Sequence, residues 1–241
     1  MKIDVDKFFE NCIDGYLFSD LENMMTLGPI PKKKAGAVGY PILMTIMSGM
    51  ELLGTLMQEV VLSTYANGSI KTGEDQFVQF WNNYLVKTNN KYKNMGSSVY
   101  NLARHGLAHQ SMAKTGVIVT KQGDDPEYHM MIDKNSFENN AVYLLNINVI
   151  KLFNDFKESY KTFSEQRRVE PLKQRVEDRL NQIINADITM SNIELAPHYH
   201  SLSTIQSNSP TSTSSTSSSA GRVGSRTTLR PVIPSEADSD N

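Results

Sequence analysis

Hydrophobic positions recur at intervals of three and four along most of the chain as far as Ile184, the spacing of one face of an α-helix. Phe8, Phe9, Cys12, Ile13, Tyr16, Leu17 and Leu21 predict a first helix from about Asp4 toward Met25, and Gly28-Pro29-Ile30-Pro31 ends it. A second helix is predicted from near Pro41, a residue suited to a first helical turn, through Ile42, Leu43, Ile46, Met50, Leu53, Met57 and Val60 to about Tyr65. Asn67-Gly68-Ser69 stops it. Phe77, Phe80, Trp81, Tyr84 and Leu85 mark a third helix over Asp75 to Val86, and a fourth spans Ser97 to Ala113. The period then changes. Val117-Ile118-Val119-Thr120 and Tyr128-His129-Met130-Met131-Ile132 flank the turn cluster Gln122-Gly123-Asp124-Asp125-Pro126, a pattern that predicts a β-hairpin at about 116–132. From about Asn139 a long helix is expected through Val142, Leu145, Val149, Leu152, Phe153, Phe156, Tyr160 and Phe163, with Pro171 kinking or interrupting it. The piece beyond carries Leu172, Val176, Leu180, Ile183 and Ile184. Its charged outer side (Lys173, Arg175, Glu177, Asp178, Arg179) reads as a solvated face.

The pattern stops near Ser201. Ser207 to Ala220 is dominated by serine and threonine, which bury too little to offset the entropy of ordering. The expected organisation is a mainly α-helical bundle over 1–195 and a disordered Ser/Thr-rich tail over 200–241. The apolar stretch Ala35 to Met57 is long enough to raise the question of a membrane span, but Glu51 lies inside it. An acid at the centre of a span costs about 2.5–3.5 kcal/mol on insertion scales, so the stretch reads as a buried bundle helix. The charged start Met1-Lys2-Ile3-Asp4-Val5-Asp6 has no apolar signal core. Together with a single cysteine, Cys12, it points to a cytoplasmic protein away from membranes. A net charge of -2 excludes a protein that coats nucleic acid by charge alone, but leaves room for a local positive site. There is no Gly-rich phosphate loop, Ser-His-Asp pattern or redox pair, and no cofactor is expected.

Chemistry concentrates in Arg104-His105-Gly106-Leu107-Ala108-His109, on the fourth helix. Arginine offers a rigid fork of donors to phosphate, and histidine moves protons near neutral pH. On an ideal α-helix Val99, Leu102, Ala103, Gly106 and Leu107 share an apolar side, and Arg104, His105, Ala108 and His109 share the other. Arg104 and His109 splay by about 140° there, so they converge best across a two-fold axis, where small Ala108 allows close approach. A cleft with two arginines and several histidines suits RNA cleavage by the substrate's own 2′-hydroxyl. One histidine accepts the hydroxyl proton, another group protonates the leaving oxygen, and arginine stabilises charge on phosphorus.

This segment resembles the R-x4-6-H signature of HEPN-domain proteins, in which the residue after the arginine is typically polar, as His105 is. The resemblance implies a dimeric HEPN-like helical bundle and a metal-independent endoribonuclease of toxin–antitoxin or defence type, with Arg104, His109 and His105 catalytic and RNA as substrate. An antitoxin or other regulatory partner is also implied. One toxin branch carries, two residues after the histidine, a tyrosine that its antitoxin modifies; Ser111 stands here, which argues against that route. Three alternatives remain open. The fold can serve as a non-catalytic interaction or scaffold module. His105 and His109, four apart, have the spacing of a helical zinc pair, with His129 as a third ligand, although Gly106 stands where a zinc protease carries glutamate. The three side chains can also be ordinary half-buried residues. Glu51, if buried, must be paired or neutral: it either faces the Arg104 cleft and orients that side chain, or forms a local ion pair or stays partly exposed. His198 and His200, at the edge of the tail, read as incidental.

Overall fold

The computed structural model describes residues 3–28, 38–58, 73–104, 116–121, 126–137 and 140–207. It is mostly helical with one small sheet. The chain divides into two units, Met1–Glu194 and Leu195–Asn241. Among the described residues the second contributes only the end of the last helix.

Helix α1 is built from Val5–Phe8, a π-helical stretch Phe9–Phe18 and Ser19–Thr26. Asp4 caps it by accepting from the Lys7 amide at 3.1 Å, which satisfies one of the orphan donors of the first turn. Helix α2 is Gly39–Leu56, and it buries Ile42, Leu43, Ile46, Met47, Met50, Leu53 and Leu56. Residues 59–65, predicted as its continuation, lie outside the described residues. Helix α3 comprises Gly73–Phe80, a π-helical Trp81–Leu85 and Val86–Thr88, and α4 comprises Gly96–Val99 and a π-helical Tyr100–Arg104. Among the described residues no helix is long and apolar enough to cross a membrane.

The sheet differs from the predicted hairpin. Strand β1 (Val117–Thr120) and strand β2 (Ile132–Phe137) do not pair with each other; both pair with β3 (Asn140–Asn148), in the order β1-β3-β2. β1 runs parallel to β3 with Val117 opposite Leu145, and β2 runs antiparallel with Ile132 opposite the same residue. Tyr128, predicted in a strand, closes a 3-10 turn, Pro126–Tyr128. β3 was expected to be the start of a helix. Its Val142 and Leu145 fit a helical period with Val149, but Leu145 and Ile147 also alternate onto one buried strand face. Asn148 marks the change, because its side chain accepts from the Ile150 and Lys151 amides and caps helix α5, Val149–Gln166. The expected break at Pro171 lies between α5 and α6, Leu172–Ser207. Residues 200–207, at the start of the predicted tail, are helical. The rest of the predicted tail, 208–241, lies outside the described residues.

The core sits where α1, α2, α3 and α5 meet. Phe18 stacks on Phe156 at 5.2 Å and lies 4.6 Å from Tyr160, and Phe80 meets both Phe156 and Phe163 edge-on. Trp81 is wholly buried and donates from Nε1 to the Tyr92 carbonyl at 2.8 Å, so its one polar atom is satisfied. Polar ties close the ends. Lys121 Nζ donates to the carbonyls of Met24, at 2.9 Å, and Leu27 at the end of α1. Arg167 lies 4.0 Å over the Phe9 ring and donates to Asp6 Oδ1 at 2.9 Å.

Candidate functional site

Arg104 is held from α2. Its Nε donates to Glu51 Oε2 at 3.2 Å, and Nη1 lies 3.5 Å from Met44 Sδ. The two charged side chains are only 19% and 24% exposed, so the pair is largely shielded and less screened than a surface pair. Nη2 has no partner among the described residues. An arginine gripped at Nε keeps terminal donors for a phosphate or carboxylate and loses little further entropy on using them. Glu51 is thus paired with Arg104, as a buried acid must be, and stays partly exposed at its edge. Of the apolar side predicted for α4, Val99 and Ala103 are buried and Leu102 packs half-buried against the core, and Gly106 and Leu107 lie outside the described residues. The stretch Tyr100–Arg104 is π-helical, however, so angles from an ideal α-helix do not apply there. His105 and His109 lie outside the described residues.

Tyr100 and Glu74 bring further polar groups to this contact between α2, α3 and α4. Tyr100 packs its ring 5.4 Å from Phe77, and its hydroxyl titrates above the usual phenol range. Burial is the main cause and the negative Glu51 the next, with Arg104 acting against them. Glu74, in the first turn of α3, accepts from Asn101 Nδ2 at 3.1 Å and from Ser97. Glu51 and Glu74 therefore both bear on this site against one guanidinium. Attraction for an anion rests on directed donors more than on net positive charge.

A second polar cluster lies in the core. Tyr92 Oη sits 2.8 Å from His129 Nε2 and donates to Asp155 Oδ2 at 2.8 Å; Asn89 Nδ2 donates to the same oxygen at 3.2 Å, and Lys151 Nζ to Oδ1 at 2.6 Å. The Asn148 amide donates to His129 Nδ1 at 3.1 Å, so the neutral ring carries its proton on Nε2. Both ring nitrogens are committed. This argues against His129 as a zinc ligand, and no group of three or more metal-ligating side chains is found among the described residues. Burial pushes the His129 pKa down to about 4 and lifts the Tyr92 hydroxyl far above the phenol range. The cluster joins α5 to the 3-10 turn Asn90–Tyr92 and the turn before β2, a structural tie whose Tyr92, His129 and Asp155 are buried. Asp155, an acid among the apolar positions Leu152, Phe153 and Phe156, was its one visible signal in the sequence. Comparison of the chain with protein-family models, with curated proteins and with solved structures finds no match in any of the three.

Proposed function

We propose that the chain is a metal-independent endoribonuclease of HEPN-like type, in which Arg104 and His109, assisted by His105, act on RNA across a homodimer. The observation that carries this reading is the arginine of the motif held at Nε by Glu51, with no partner for Nη2 among the described residues. In the reaction the substrate's 2′-hydroxyl attacks phosphorus. A histidine takes its proton, and the guanidinium stabilises the added charge on the phosphoryl oxygens. The 5′-oxygen leaves with a proton from the second acid, giving a 2′,3′-cyclic phosphate end. The test is labelled RNA incubated with purified protein in excess chelator. Cyclic-phosphate ends are expected, with activity falling at least ~100-fold in Arg104→Ala and in His109→Ala. Cleavage unchanged in both variants removes the proposed site, and activity lost only with chelator favours the zinc reading.

The Glu51 carboxylate on Arg104 favours a second reading, a non-catalytic interaction module in which the Arg104–Glu51 pair only fastens α4 to α2. That reading predicts no cleavage by wild type, and a loss of stability in Arg104→Ala as its main effect.

A further inference from the structure

Gly73, the first residue of α3, has its Cα closed over by two polar side chains. A methyl group placed there would lie 2.6 Å from Glu51 Oε1, 2.7 Å from the Tyr100 hydroxyl oxygen and 3.1 Å from Glu51 Cδ. Only a residue without a side chain leaves room for both. The Glu51 carboxylate therefore bridges two elements. Oε2 accepts Arg104 Nε, and Oε1 lies against the start of α3, where first-turn amides lack helical partners and a negative charge is favoured. Tyr100 precedes Arg104 by one π-helical turn on the same stretch, with its ring anchored on Phe77 of α3. Glu74, next to Gly73, grips Asn101 and Ser97 of α4. The first turn of α3 thus meets the arginine-bearing helix at several side chains and meets the arginine's acid at one.

We propose that Tyr100 is a positioning residue for Arg104, acting through Glu51: its hydroxyl, over the bare Cα of Gly73, confines the carboxylate to the place from which it grips Nε and leaves Nη2 for an anionic substrate. What Nη2 meets rests on the ribonuclease reading; the holding of the guanidinium does not. The ring of Tyr100 alone packs on Phe77, and a phenylalanine does that equally well. The hydroxyl is the part of Tyr100 that shares the space over the Gly73 Cα with Glu51 Oε1. Removing it gives Glu51 freedom to rotate, and the guanidinium follows. Adding a methyl to Gly73 has the same effect from the other side, because carboxylate and hydroxyl must both withdraw.

The direct test is the Nε–H resonance of Arg104 in the full-length protein labelled with nitrogen-15, assigned by its loss in Arg104→Lys. Glu51→Gln should shift it and speed its hydrogen exchange. Tyr100→Phe, which keeps the ring, should also shift it and raise exchange by about twofold to threefold, less than the loss of a hydrogen bond gives, because the hydroxyl acts by filling the space beside the carboxylate. Gly73→Ala should act in the same direction; if that variant does not fold, Tyr100→Phe decides alone. A Tyr100→Phe protein with wild-type shift and exchange overturns the proposal, as does a Glu51→Gln protein that leaves the resonance unmoved. On RNA, Tyr100→Phe should lower kcat about fivefold with KM little changed. In an enzyme that does cleave, an unchanged kcat counts against the positioning role. If wild type cuts no RNA, the ribonuclease reading falls, and the resonance still decides whether Tyr100 holds Arg104.

Discussion

Protonating His129 puts a donor against a donor. The Asn148 amide already gives its hydrogen to Nδ1, and a proton added there has nothing to accept it. The groups facing the ring are Tyr92, Asp155, Lys151 and Lys91. Burial dominates, and only the negative Asp155 favours the charged form. The folded pKa of about 4 lies below the ordinary 6.5, so the unfolded chain takes up the proton first as pH falls. The stability this ring contributes is complete above pH 6.5 and drains between 6.5 and 4. At pH 4.5 the loss from this one group is about 2.5 kcal/mol, nearly two decades in the folding constant. Urea unfolding at pH 7 and pH 4.5, for wild type and His129→Gln, measures it. The variant starts less stable but should lose about 2.5 kcal/mol less between the two pH values. An equal loss in both proteins shows that the acid sensitivity lies in other groups.

Helix α2 is pressed against its neighbours through two glycines whose surroundings differ in stiffness. A Cβ on Gly54 would lie 1.8 Å from the Gln76 carbonyl oxygen, in the backbone of α3; a Cβ on Gly49 would meet Leu17 Cδ2 at 2.8 Å and Phe156 Cζ at 3.1 Å. Alanine gains about 1 kcal/mol of helix propensity over glycine in a helix interior. At Gly49 that gain nearly offsets the crowding, since the half-buried Leu17 can change rotamer. At Gly54 the helices must separate, at a cost of about 3 kcal/mol or more. The urea midpoint of Gly54→Ala should fall well below that of Gly49→Ala at similar slope, and the reverse order would mean that α2 and α3 are less tightly joined than described. The same elements show what the sequence can and cannot convey. α1, α2 and α3 are readable because apolar residues on a single face decide them. β3 is not, because Val142, Leu145 and Val149 keep the helical period while Leu145, Ile147 and Val149 keep the strand one, until a partner strand chooses. Of the candidate site, Arg104 is visible as a motif residue and Glu51 as a lone acid in an apolar helix. Gly73 and Tyr100 carry no local signal, because they come near Glu51 only once α2, α3 and α4 are packed. The Tyr92–His129–Asp155 chain is hidden in the same way, with 37 and 63 residues separating its partners.

Whether one chain holds a whole site is a question for the molecule rather than for any helix. If Arg104 of one protomer works with His109 of the other, a two-fold dimer has two sites, each drawing one residue from each chain. Arg104→Ala and His109→Ala are then each inactive alone, yet not when mixed. A heterodimer of the two variants collects both substitutions in one site and leaves the other with Arg104 and His109 intact. Random exchange in an equimolar mixture makes about half of the dimers mixed, each with one working site of two, so about a quarter of wild-type activity should return. A site complete within one protomer behaves differently, because every chain in the mixture lacks one residue and nothing returns at any ratio. The measurement is cleavage of labelled RNA in chelator after co-refolding the two variants, with light scattering on the same samples. Dimers with about a quarter of the activity support a shared cleft. Dimers with none place the catalytic pair inside one chain, and a monomer that cleaves as well as wild type removes the two-fold site altogether.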